Sequence, residues 1–159
     1  MSFRGLFRNT LLSLAAASVC VCASLASAQT PRDKNDAVYM YRGADRHQRL
    51  VERARQEGSL LFYTSMATTE SMPLGQAFEK KYGVKVELWR ATSDKVVQRA
   101  ITEARGRRFT LDFVETNGPE LEMLAREKLL SEFYSPYIAD LPAAAVPAHR
   151  LWVSDRLNV

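Results

Sequence analysis

Three short apolar runs, at residues 59–64, 84–89 and 111–116, lie between stretches whose apolar residues recur at helical spacing. This alternation constrains the fold more than any other feature of the chain. From Ala44 onward Leu50, Val51 and Ala54 fall on one helical face while Arg46, Arg49, Glu52 and Arg53 fall on the other, and Gly58 supplies a stop. The run SLLFYT that follows is short, apolar and bounded by polar residues, as suits a buried strand. The pattern then repeats. Residues 69–82 are expected to form a helix with Leu74, Ala77, Phe78 and Tyr82 inward and Gly83 at its end, before a strand in which Val84, Val86 and Leu88 alternate with polar neighbours. Ser93 is a suitable N-cap for a third helix with the stripe Val96, Val97, Ala100, Ile101 and Ala104, closed by Gly106. After the third run Asn117-Gly118 makes a turn, and Pro119 fits the first position of a fourth helix with Leu121, Leu124 and Ala125 inward.

Strands that alternate with helices pair in parallel, because right-handed crossovers lay the helices on the sheet faces. The expected fold class is therefore α/β, an open, doubly wound, mostly parallel sheet. In such sheets ligands sit at the carboxyl ends of the strands. Three loops occupy that edge, at residues 64–69, 90–93 and 115–118, and all are rich in hydroxyl and amide groups. Two of them lead straight into helix N-termini, whose N–H groups and dipole favour a negatively charged group.

The N-terminus is expected to be a targeting segment. Residues 1–8 carry Arg4 and Arg8 with no acid, an apolar stretch follows to Leu25, and Ala26-Ser27-Ala28 is a small-x-small cleavage site. A cut after Ala28 leaves about 131 residues, one domain's worth, and directs the product to the periplasm. Cys20 and Cys22 lie inside the segment, each preceded by Val rather than the small residue a lipoprotein site needs. The mature chain therefore has neither disulfides nor thiol chemistry. Loss of two arginines with no acid takes the net charge from +4 to +2. That near balance argues against nucleic acid as a partner. Residues 29–43 are polar, contain Pro31 and the cluster Tyr39, Met40 and Tyr41, and are expected to be a linker.

Several stretches resemble landmarks of bacterial extracellular solute-binding proteins. Ala54-Arg55-Gln56-Glu57-Gly58-Ser59-Leu60-Leu61-Phe62-Tyr63-Thr64-Ser65 is similar to their opening helix end and first strand. The run from Ala77 to Val86 resembles their "F-x-K-x-[YT]-[GP]-[IV]-x-V", and Asp112-Phe113-Val114-Glu115-Thr116 their "D-V-x-x-[TS]" strand. Glu127-Lys128-Leu129-Leu130 followed by Tyr134-Ser135-Pro136 is similar to "G-L-L-x-x-Y-x-S-P". These landmarks cover residues 44–158 in the family's order and are most similar to its iron(III)-type branch. The resemblance implies a two-lobed periplasmic-binding-protein (type 2) fold that closes on a small-molecule solute and delivers it to an ABC permease in the inner membrane. It carries ligand contact to Ser65 and Met66 after the first strand, to Arg90, Ala91, Thr92 and Ser93 after the second, and to Thr116, Asn117 and Gly118 after the third. Their hydroxyls and backbone amides suit a phosphate, a carboxylate or a metal–anion complex.

Two departures qualify that picture. Iron-binding members use an adjacent pair of tyrosines from the second lobe, and no Tyr-Tyr pair occurs here, so no metal ligands and no cofactor are assigned. Relatives run to about twice this length, so residues 44–159 are expected to be part of a first lobe that ends near the hinge to a second.

The remaining polar residues have ordinary readings. His47 and His149 are expected to be surface histidines. Asp112 and Glu115 flank a strand without a His, Cys or Lys partner at a recognisable spacing, which favours a structural role over acid/base work. Ser65 is not in a G-x-S-x-G elbow. The arginines at 46, 49, 53, 55, 105, 107 and 108 are interleaved with Glu52, Glu57 and Glu103, as on a solvated face. The leading expectation is a transport receptor component, with a non-functional exported remnant as its alternative. A secreted α/β enzyme is disfavoured by the lack of any nucleophile–base or metal constellation.

Overall fold

The computed structural model describes residues 36–154. The expected signal segment at 1–28, the first part of the expected linker and residues 155–159 lie outside the described residues.

At the centre is a three-stranded parallel sheet of β1 (Ser59–Thr64), β2 (Lys85–Arg90) and β3 (Phe113–Glu115), in the order β2-β1-β3. Register pairs Ser59 with Lys85 through Thr64 with Arg90 on one side of β1. On the other side Phe62, Tyr63 and Thr64 pair with Phe113, Val114 and Glu115. The strands are joined by α3 (Thr68–Tyr82) and α4 (Ser93–Arg105), with α2 (Arg46–Glu57) before β1 and α5 (Gly118–Arg126) after β3. From β1 the chain crosses to one flank, then returns past β1 to the other. This winding places a topological switch point between β1 and β3.

The helices cover opposite faces. A Cβ on Gly75 of α3 would stand 3.5 Å from Val86 Cγ1, so α3 lies on the face that carries Val86 and its register partner Leu60. Arg99 of α4 lies over the rings of Tyr63 and Trp89, which belong to the other face by strand alternation. Val97, Ala100 and Leu124 make the core of that second layer, with Ile101, Leu111, Val114, Leu129 and Leu130 packed around them. Full burial of side chains such as Val96 and Leu124 stabilises the fold by about 1.5–3 kcal/mol each.

The expected stripe of α4 is its observed inward face, since Val96, Val97 and Ala100 are all buried. On α3 the outcome differs. Leu74 and Ala77 are exposed, Phe78 and Tyr82 are half-buried, and the residues fully buried there are Ser71 and Gly75. The helix approaches β2 too closely for large side chains, so small residues make the contact, and Glu79 Oε1 accepts the Val86 N–H at 2.7 Å. Ser93 does not cap α4. Thr92 is the extended residue (φ −69°, ψ 154°), and Ser93 is the first helical position.

Gly58 and Gly83 end α2 and α3 in the left-handed conformation, φ 81° and 71°. There they donate their N–H groups to Ala54 and Glu79. The segment expected to be a linker holds a short helix, α1 (Asp36–Tyr39). It is docked: Tyr39 O accepts from Tyr134 N at 3.1 Å and from Arg46, whose guanidinium also donates to Tyr134 O. After α5 the chain runs through two short 3-10 turns, Pro136–Asp140 and Ala143–Ala145. The second turn buries Ala145.

Candidate functional site

The three strand-end loops converge at the carboxyl edge of the sheet, and each is bonded to the other two. The parallel ladder continues past the strands, with Ala91 N donating to Thr64 O and Ser65 N to Glu115 O, both at 3.1 Å. Arg90 Nε donates to Met66 O at 3.1 Å and ties the second loop to the first. Asn117 Nδ2 donates to Ser93 Oγ at 2.9 Å and ties the third to the second. All nine residues assigned to ligand contact therefore sit on one edge. Ser65, Met66, Ala91, Ser93 and Gly118 are half-buried there, and Arg90, Thr92 and Asn117 are exposed. Thr116 is buried, with its hydroxyl oxygen unpartnered among the described residues. Gly118 opens α5 beside Trp152, whose Cη2 would stand 3.5 Å from a Cβ at that position.

At the switch point itself the central group is the carboxylate of Glu115, a register partner of Thr64. Glu115 Oε2 accepts the Thr64 hydroxyl at 2.5 Å and the N–H groups of Ser65 and Met66 at 3.1 Å each. The Thr64 hydroxyl also accepts the Met66 N–H at 2.9 Å. Fully buried Thr64 is thus satisfied as donor and acceptor. Asp112, the other carboxylate flanking β3, accepts the Leu61 N–H at 2.8 Å. Both acids thus hold backbone groups of β1 and its loop.

The two helix N-termini at this edge keep no bond from their capping side chains, since neither Thr92 nor Asn117 takes up a first-turn N–H. Each first turn instead carries an acid, Asp94 and Glu120, which complements the helix dipole. The Thr92 hydroxyl bonded to Asp94 holds that carboxyl below the usual carboxylate range.

Behind the edge, on the α4 face, an open groove of about 480 Å³ runs past Trp89, Lys95, Arg99 and Arg108. Its floor is a closed cluster. The Tyr63 hydroxyl donates at 3.0 Å to Glu103, Arg99 Nε reaches the same carboxylate at 2.8 Å, and the guanidinium lies 4.4 Å from the Trp89 ring centre. Burial pushes the Tyr63 hydroxyl above its usual range, helped by Glu103. Burial also penalises the Glu103 carboxylate, but the bonds from Arg99 and Tyr63 outweigh it and leave its pKa lowered. Among the described residues no group of three or more His, Cys, Asp or Glu side chains is placed to hold a metal ion.

Thr64 and Glu115 stand in the loops expected from the sequence but are not among the nine residues assigned to ligand contact. Equal counting back from the ends of two parallel strands sets them side by side, and a hydroxyl facing a carboxylate is the signal that this register contains. The Tyr63–Glu103–Arg99 cluster had no such signal, because it joins β1 to the far end of α4.

No family model and no curated protein matches the chain. Solved structures do. Iron-bound HitA from Pseudomonas aeruginosa matches with a TM-score of 0.53 and 20% identity, over 58% of this chain and 30% of that one. The Trichodesmium protein IdiA (FutA), in complex with iron and citrate, matches with a TM-score of 0.54 and 24% identity, over 60% and 30%. The ferric binding protein of Campylobacter jejuni gives 0.51 and 22%, over 57% and 29%. The matched part of this chain thus corresponds to about 30% of these proteins' length. The likeness shows that the chain has part of the periplasmic-binding-protein fold, as its sequence implied. Two of these neighbours are described with iron bound, and the third is named a ferric binding protein.

Proposed function

We propose that this chain is the periplasmic solute-binding component of an ABC importer, or the first-lobe part of one. It captures a small anionic or metal-complexed solute by hydrogen bonds from its strand-end loops and passes it to a permease in the inner membrane. A signal segment cut after Ala28 exports it. The observation that supports this reading most is the convergence of three loops, rich in hydroxyl and amide groups, on the carboxyl edge of a parallel sheet beside a switch point. That is where open α/β sheets bind ligands. Arg90 supplies a positive group on this edge, which suits the anionic part of such a solute.

Thermal denaturation of the full chain against a panel of phosphate, hydroxy acids, amino acids and ferric citrate tests the reading. A true solute stabilises the folded chain by about 2.7 kcal/mol at a hundredfold excess over its Kd. Asn117→Ala, which removes the bond to Ser93, is expected to shrink that gain. A panel in which no solute raises the midpoint, or a gain that Asn117→Ala leaves intact, contradicts it.

A further inference from the structure

We infer that Glu115 is a specificity-determining residue, and that the solute group seated at the β1/β3 switch point is a cation or another hydrogen-bond donor, not an anion. The inference rests on the proposed solute-binding function and narrows its substrate class. Two successive N–H groups and a hydroxyl that converge on one point form a nest for a negative oxygen. The first loop builds such a nest from Ser65 N–H, Met66 N–H and the Thr64 hydroxyl, and the chain's own Glu115 Oε2 already fills it. Ser65 N–H is shared with the Glu115 carbonyl and Met66 N–H with Thr64 Oγ1, so neither donor is left for a second anion.

An anionic solute group arriving here would have to displace a carboxylate bonded three times, and would meet its charge at close range. The other carboxylate oxygen, Oε1, takes no hydrogen bond from the described residues, and Glu115 as a whole is only half-buried. A carboxylate with one oxygen anchored and the other open is a fixed acceptor, suited to an ammonium, an amine or a hydroxyl. With Arg90 on the neighbouring loop, the edge offers a positive group as well as the Glu115 carboxylate, beside the first-turn acids Asp94 and Glu120. The solute class that matches both is a small bifunctional molecule with an anionic group at the Arg90 side and a donor group at the Glu115 side.

The test is an amide-resolved NMR titration of the full chain, once with inorganic phosphate and once with methylammonium at matched ionic strength. It is repeated on Glu115→Gln, which keeps an acceptor oxygen in place but removes the charge. In the unchanged chain phosphate should leave the Ser65 and Met66 amides unmoved, while methylammonium shifts the amides of residues 64–66 and 115–116. In Glu115→Gln the methylammonium response should weaken roughly five- to tenfold, the difference between a charged and a neutral hydrogen-bond partner. Glu115→Asp serves if the first variant does not fold: it keeps the charge but shortens the reach, and should free the two amides to respond to phosphate. Phosphate shifts at Ser65 and Met66 in the unchanged chain, or a methylammonium response that survives Glu115→Gln, overturn the assignment of Glu115 and leave the solute-binding reading standing. If neither probe moves any amide of the three loops, both fall together.

Discussion

Glu103 receives the Tyr63 hydroxyl and the Arg99 guanidinium in a mostly buried position, with only 15% of its side chain exposed. Its lowered pKa means that the folded chain holds the ionised form more tightly than the unfolded chain does. The stability this contributes is present above the unfolded carboxylate range and is lost as pH falls through the lowered folded value. Urea denaturation of the full chain is expected to show stability declining on acidification between about pH 5 and pH 2. Glu103→Gln should make that decline shallower without abolishing it, because Asp94 and Glu122 are also lowered, by Thr92 and His149 respectively. An unchanged acid limb in the variant would show that the cluster does not hold Glu103 as described. At this scale the sequence was least informative. A carboxylate's partner depends on which strand and helix face it, and neither the Thr64–Glu115 pairing nor the Tyr63–Glu103–Arg99 cluster can be found without the register.

Helix α3 shows how an element's inward face can differ from its most apolar one. The periodicity of Leu74, Ala77, Phe78 and Tyr82 pointed to one face, but only the half-buried Phe78 and Tyr82 share the inward face with the buried Ser71 and Gly75, and Leu74 is 51% exposed. Close packing of a helix on a sheet selects for small side chains at the point of contact, and hydrophobic pattern alone does not register that. Gly75 gives the quantitative test. An added methyl would meet Val86 at 3.5 Å, an ordinary contact, and would replace a glycine in a helix interior. Gly75→Ala should therefore be neutral or stabilising by up to about 1 kcal/mol, whereas Gly75→Leu should destabilise by about 1–3 kcal/mol through overpacking. Equal effects of the two in urea denaturation would contradict the close approach. Where the inward face is built of branched and medium-sized apolar residues, as in α4, periodicity predicted it directly.

For the whole molecule, the order of elements was legible because each strand ends at a polar loop and two helices end at a glycine in the left-handed conformation. Alternation of strands and helices fixed the parallel sheet, and the parallel sheet fixed the edge at which the assigned residues meet. The loops' chemistry was only half legible. Their donors could be counted from the sequence, but which of them the chain itself uses could not, and Glu115 takes three.

The proposed function requires that a solute be held at this carboxyl edge. Amide hydrogen exchange of the full chain, with and without the small-molecule fraction of a periplasmic extract, tests it most directly. The prediction is added protection confined to residues 64–69, 90–95 and 115–120. Protection at residues 98–108 of the groove instead, or no change in the three loops, would contradict it.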